Sequence, residues 1–293
     1  MSGSDPGHLP EPRLIAGSDE LLALAEQLSR EEVVALDTES NSFHAYRERV
    51  CLLQISTPAL DVIVDPLALD PRPLGPVLAS RRELVLHGAD YDVRCLKREY
   101  GWALPNLFDT MVAAKRLGRA QLGLAALVEA QYGVRMSKEF QRSDWGKRPL
   151  TRAQLRYAAL DTRFLLPLHA LLSGELAARG LMDDARREFA RIAAVEPRPK
   201  VFDPEGWRKL RGARELDRDG KAILRALWIA REERASALDR PPFKVLPEQA
   251  MLEIARRKPS QEQDLDGVVG LTPNVRRRMG GALLDAARAK GQP

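Results

Sequence analysis

Four acidic side chains and one phenol, drawn from three separate segments, are the residues of this sequence best suited to act on a substrate. Asp37-Thr38-Glu39 follows directly on the continuous apolar run Val33-Val34-Ala35-Leu36. If that run is a strand, residues two apart face one side, and both carboxylates project together from a sheet edge. The segment His87-Gly88-Ala89-Asp90-Tyr91-Asp92 reads as a strand-to-helix junction. An Asp there can cap the helix or hold a cation, and Asp90 and Asp92 are both candidates for either job. Tyr157-Ala158-Ala159-Leu160-Asp161 falls inside a long helical pattern. A spacing of four puts the phenol and the carboxylate on one helix face, about one turn apart.

Acid pairs seldom end a buried strand unless something cationic is bound beside them. Hard divalent cations take oxygen ligands, and four clustered carboxylates repel one another without a metal. Two Mg²⁺ or Mn²⁺ ions, roughly 3.5–4 Å apart, would neutralise such a cluster, activate a water and stabilise the departing oxyanion of a phosphodiester. The Tyr157 phenol would orient or deprotonate that water. No His or Cys cluster competes, which argues against zinc.

The elements that must bring these residues together are legible from periodicity. Residues 32–40, 50–56 and 61–65 read as strands joined by short gaps, which favours an antiparallel meander. Residues 83–87 form a fourth strand, turned at Gly88 into a helix over 91–100, and 106–108 form a short fifth strand. Further helices are expected at 74–80, from Asp109, and from Gly123. Thr151, with Gln154 three residues later, matches a capping box. It opens a helix expected to reach residue 172, kinked at Pro167. Three strands followed by strand–helix alternation give a mixed α/β fold. Pro197, Pro199 and Pro204 mark a linker. Beyond it, residues 216–235, 247–257, 261–268 and 273–289 read as helices of a small bundle.

Asp37-x-Glu39, the 87–92 segment and Tyr157-xxx-Asp161 together resemble the three exonuclease motifs of the DEDD superfamily, in its tyrosine-bearing subclass. The chain is most similar to ribonuclease D and its exosome-associated eukaryotic relatives. Supporting stretches are Cys51-Leu52-Leu53-Gln54-Ile55-Ser56, Phe108-Asp109-Thr110 and residues 141–150, and the similarity spans about residues 12–180. The resemblance implies a ribonuclease-H-like mixed five-stranded sheet flanked by helices. It implies Asp37, Glu39, Asp92 and Asp161 as ligands of two divalent ions and Tyr157 as the water-positioning group. The family acid follows its His by five positions, which selects Asp92 over Asp90. A sister subclass carries a His five residues before the last Asp, where this chain has Arg156. Asp109 resembles a family Asp that opens a helix and is read as a cap. After the first motif, residues 40–44 are expected to line the pocket for the terminal nucleotide, with Phe43 stacking on a base and His44 beside it. Lys138, Arg142 and Lys147 are placed to meet phosphates.

Residues 207–291 resemble an HRDC domain, through Leu227-Trp228-Ile229-Ala230-Arg231-Glu232-Glu233-Arg234-Ala235, residues 241–247 and residues 254–259. Some members of the family carry two such bundles, and one fits here. Leu224, Leu227 and Trp228 are core by spacing. Arg276 and Arg277, in the run that ends at Arg278, are expected to contact phosphate backbone, together with Arg256, Arg257 and Lys258. The expected division is a leader over 1–11, an exonuclease domain over 12–192, a linker over 193–205 and the HRDC bundle over 206–291.

Bulk properties agree. Residues 201–293 hold 19 Lys and Arg against 14 Asp and Glu, while residues 1–200 hold 27 of each, so the surplus of five is confined to the C-terminal third. A basic domain suits a polyanion. No run of eighteen apolar residues argues for a membrane span, and the N-terminus lacks the layout of a secretory signal. Cys51 and Cys95, each inside an apolar run, are expected as buried reduced thiols of a cytoplasmic protein. The function expected is that of a 3′→5′ exoribonuclease releasing nucleoside 5′-monophosphates from precursor tRNA and other structured RNA with short 3′ tails. The alternatives are a DNA 3′ exonuclease using the same residues, and a nucleic-acid-binding scaffold whose nuclease site has decayed.

Overall fold

The run Val33–Leu36 lies at the heart of a six-stranded sheet in the computed structural model, which describes residues 11–80, 83–197 and 201–289. The expected leader, apart from Glu11, and residues 198–200 of the expected linker lie outside the described residues. In chain order the first elements are β1 (Arg13–Ile15), α1 (Ser18–Leu28), β2 (Val33–Ser40), β3 (Val50–Ser56) and β4 (Asp61–Val64). There follow α2 (Gly75–Leu78), β5 (Glu83–Leu86), α3 (Asp90–Tyr100), β6 (Leu107–Asp109), α4 (Thr110–Arg116) and α5 (Leu124–Tyr132). The first part of the chain ends with α6 (Arg152–Arg163), α7 (Leu165–Ala178) and α8 (Met182–Ala193).

The strands lie in the order β1-β4-β3-β2-β5-β6. β2, β3 and β4 pair antiparallel, as the short gaps require, while β5 adds parallel to β2 and β6 parallel to β5, each after a helical crossover. The fold class is the mixed α/β one expected. The extra strand is β1, which pairs parallel with β4. Three residues, of which Ile15 alone is buried, are too few to show a period.

Alternation along β2 assigns the two faces. Val34 and Leu36 join a core with α1 and α3, and Ala35 joins a second core with α4, α7 and α8. Asp37 and Glu39 continue the face of Ala35, and Thr38 and Ser40 continue the face of Leu36. On β3, Leu53 and Ile55 belong to the first core, so Leu52, Gln54 and Ser56 share the face of the two acids. Helix α6 crosses that face over β2, β3 and β4, held by a Ser56–Thr162 hydroxyl bond of 2.7 Å.

The helix expected over 151–172 is two helices. Thr151 caps α6 with the full capping box, but the break comes at Phe164, and Pro167 sits in the first turn of α7. A missing N–H is harmless there, so the proline starts a helix instead of kinking one. Helix α8 had no counterpart in the sequence reading, and it carries the chain one residue into the expected linker.

By its contacts the chain forms two units, residues 1–41 with 49–198, and residues 42–48 with 199–293. The second is helical: α9 (Arg218–Leu238), α10 (Pro242–Val245), α11 (Glu248–Arg257), α12 (Pro273–Met279) and α13 (Ala282–Ala287). The helix expected over 273–289 is split at Gly280-Gly281, and of 261–268 only Glu262–Leu265 is helical, as one 3₁₀ turn. Leu224 and Leu227 are core, as their spacing requires, and Trp228 packs partly buried against them. Residues 42–48 are built into this unit. Tyr46 Oη donates to Glu232 Oε1 at 2.6 Å, Arg47 N donates to Asp239 Oδ1 at 2.9 Å, and His44 Nδ1 lies 3.2 Å from Lys244 Nζ.

Candidate active site

Strand β2 delivers Asp37 and Glu39 on one face, and its register against β3 shifts between Glu39 and Ser40. A bulge at that point ends regular pairing just past the acids and bends the strand. The junction of β5 and α3 delivers Asp92. Gly88, with φ at +68°, makes the turn, and a Cβ added there would lie 2.8 Å from Met111 Cε. Asp109 fixes the same turn from the side. Its carboxylate accepts from Gly88 N at 3.0 Å and Ala89 N at 2.8 Å, and it caps α4 by accepting from Met111 N and Val112 N. Asp109 is a cap, as read, and it also clamps the neighbouring turn.

Asp90 and Asp92 part company on the first turn of α3. Asp90 faces solvent and pairs with Arg94 at 2.8 Å, whereas Asp92 is 6% exposed. Thr38 Oγ1 donates to Asp92 Oδ1 at 2.5 Å, tying the strand to the helix between the two β2 acids. Helix α6 delivers Tyr157 and Asp161. The Tyr157 ring packs against Phe140 at 5.7 Å and Trp145 at 6.1 Å between centroids. Trp145 is buried, and Arg148 holds its loop by donating to the carbonyls of Trp145 at 2.7 Å and Cys51 at 3.0 Å while pairing with Asp65.

Three elements thus bring four carboxylates into one electrostatic neighbourhood. Burial pushes the Asp37 carboxyl well above its usual range, and Asp92, Asp161 and Glu39 push it further. Glu39 rises to about 9 through burial and the charges of Asp161 and Asp92. Asp161 rises to about 7 through burial and Asp92, and Asp92 rises to about 6 through burial, opposed by the Thr38 hydroxyl. The Tyr157 hydroxyl is raised above its ordinary 10 by burial, then by Asp161, Glu39 and Asp37. Among the described residues no three acidic, His or Cys side chains close into a finished ligand cage. The four acids are coupled through charge without meeting at one point. An all-oxygen donor set under strong self-repulsion fits a hard divalent cation, whose charge would relieve the strain on every member.

The residues expected to grip substrate differ in their local settings. Lys138 and Arg142 are exposed, and Lys147 is exposed with Asp144 at 3.9 Å. Phe43 and His44 group with the helical unit, where Phe43 is 50% exposed and His44 meets Lys244. Arg276 pairs with Asp266 at 2.6 Å, Arg277 donates to the Asn274 side chain, and Arg278 donates to the Lys244 carbonyl. Of the partner cations, Lys258 pairs with Asp217 and Arg257 with Glu253. The sequence reading assigned no role to Thr38. A hydroxyl between two candidate ligands on an expected strand was the available signal.

Residues 12–177 match the family model described as 3′-5′ exonuclease, and residues 220–286 match that of the HRDC domain. Ribonuclease D of Gluconacetobacter diazotrophicus is 32% identical over 99% of this chain and 74% of its own length. The catalytic core of RRP6 from Trypanosoma brucei superposes with a TM-score of 0.88 at 26% identity, over 99% of this chain and 83% of that one. Escherichia coli RNase D, an exoribonuclease involved in structured RNA processing, superposes with a TM-score of 0.74 at 30% identity, over 97% and 76%.

Proposed function

This chain belongs to the ribonuclease D family of 3′-5′ exonucleases, and from that premise we propose a 3′→5′ exoribonuclease that shortens structured RNA bearing single-stranded 3′ tails. The observation that carries the reading is the mutual charge coupling of Asp37, Glu39, Asp92 and Asp161 beside one phenol. These four would hold the divalent cations, two Mg²⁺ or Mn²⁺ ions, which supply positive charge at the phosphodiester and make a bound water more acidic.

The protein's own residues do the rest. Thr38 holds Asp92 in one orientation from inside the fold. Phe140 and Trp145 hold the Tyr157 ring, so its hydroxyl has a fixed place. Because that hydroxyl is raised above 10, it keeps its proton at neutral pH. Tyr157 would therefore meet the attacking water as a hydrogen-bonding phenol, placed to orient it. Water oxygen adds to the terminal phosphorus and the bond to the 3′ oxygen breaks. The products are a nucleoside 5′-monophosphate and a chain one residue shorter with a 3′ hydroxyl.

Asp37→Asn and Asp161→Asn should each abolish Mg²⁺-dependent digestion of a 5′-labelled RNA, and full activity in either variant would remove the metal reading. Matched RNA and DNA oligonucleotides, digested side by side with Mg²⁺, Mn²⁺ or EDTA, test the choice of sugar. Equal rates on both would widen the substrate class to DNA.

A further inference from the structure

Gln54 has no partner for either end of its amide among the described residues, although the residue is 0% exposed. Burying an amide with neither its donor nor its acceptor satisfied is costly, and such groups ordinarily mark a function or an unseen partner. Its position is specific. In the β2–β3 ladder Gln54 stands directly opposite Asp37, on the face that carries Asp37 and Glu39. Its next neighbour on that face, Ser56, bonds Thr162 of α6, and one helical turn back from Thr162 is the buried Ala158, between Tyr157 and Asp161. Ala158 has no side chain long enough to take up the amide. Gln54 therefore lies on the acid-bearing face under α6, with Asp37 opposite it in the ladder and the nearby Ser56 and Thr162 hydroxyls bonded to each other.

Resting on the divalent-metal reading above, we infer that Gln54 is a positioning residue whose amide N–H groups steady the Asp37 carboxylate from behind when the site is loaded with its cation. Carboxylates that ligate a metal are themselves held by neighbouring hydrogen-bond donors, which fix their orientation. A glutamine suits that place because it donates without adding charge to an already crowded cluster.

The test separates this role from packing. Gln54→Met keeps the length and shape of the side chain and removes both polar groups, with Gln54→Leu as the second variant should Met fail to fold. Two quantities are read on the full chain without RNA: the melting temperature in EDTA, and Mn²⁺ affinity by titration calorimetry. Gln54→Met should melt in EDTA at or above the wild-type temperature, since unsatisfied polar atoms are gone, yet bind Mn²⁺ about 10–100-fold more weakly. Ser56→Ala is the packing control, expected to lower the melting temperature and leave Mn²⁺ affinity unchanged. Wild-type Mn²⁺ affinity in Gln54→Met overturns the inference alone. Wild-type protein that takes up no Mn²⁺ overturns the metal reading and this inference with it.

Discussion

At Tyr157 the ring and the hydroxyl do separate work. The ring belongs to a small core with Trp145, Ala158, Cys51 and Ile63, so it is held whether or not substrate is present. The hydroxyl adds little to that packing, which makes Tyr157→Phe a clean probe. Its melting temperature should stay close to wild type, while kcat falls about 10²–10⁴-fold and KM for a short RNA changes little. Unaltered kcat would deny the hydroxyl any part in orienting water. At this scale residue type and spacing singled out the acids and the phenol but left Asp90 and Asp92 both open; the family resemblance selected Asp92, and Asp92 is the buried one of the two.

At the scale of elements, the β5–α3 turn depends on a residue from another strand. Asp109 accepts from the backbone nitrogens of Gly88 and Ala89 in that turn and of Met111 and Val112 in its own helix, and it is 0% exposed. Loss of a helix cap costs about 0.5–2 kcal/mol, and the two further buried donors left unmet add to it. Asp109→Ala should therefore lower unfolding free energy in urea by at least about 2 kcal/mol. It should also reduce activity, because the turn it clamps carries Asp92. A variant as stable as wild type would show that water replaces the carboxylate at all four nitrogens. The sequence reading found the cap but not the clamp, since nothing local to Asp109 reports a turn twenty residues earlier.

Across the whole molecule, the acid cluster makes stability depend on pH in an unusual direction. An acid whose folded pKa is raised holds its proton more tightly folded than unfolded, so ionising it destabilises the fold. In metal-free protein the cluster's contribution to stability is fully present below the ordinary acid values of 3.8 for Asp and 4.5 for Glu. That contribution is lost as pH climbs from there through about 6 for Asp92, 7 for Asp161 and 9 for Glu39. Melting curves in EDTA from pH 5 to 9 should fall, and Mg²⁺ should flatten them by replacing protons with divalent charge. A flat EDTA profile would show that the carboxylates do not crowd one another. For the helical unit, Arg276 and Arg277 are occupied by Asp266 and Asn274, while Arg218 and Lys221 line a groove of about 820 Å³. If that groove meets RNA backbone, Lys221→Ala should reduce the slope of log affinity against log salt by about 0.7, the value per contact for single strands. An unchanged slope would place the contact elsewhere.

The succession of strands β2 to β6 along the chain, the helical nature of the last third and the candidate acids with their phenol were written in local pattern and motif. Periods of 2 and 3.6, turn residues and fixed motif offsets act over a few neighbours, and a linear reading captures them. Strand β1, the break at Phe164 and the membership of residues 42–48 in the helical unit depend on partners far away in the chain. So does the isolation of Gln54, a polar residue in an apolar strand until the ladder sets it opposite Asp37. A residue's own type fixes what it can donate, accept or bury. Packing alone determines which groups surround it, and those groups set its proton affinity and its work.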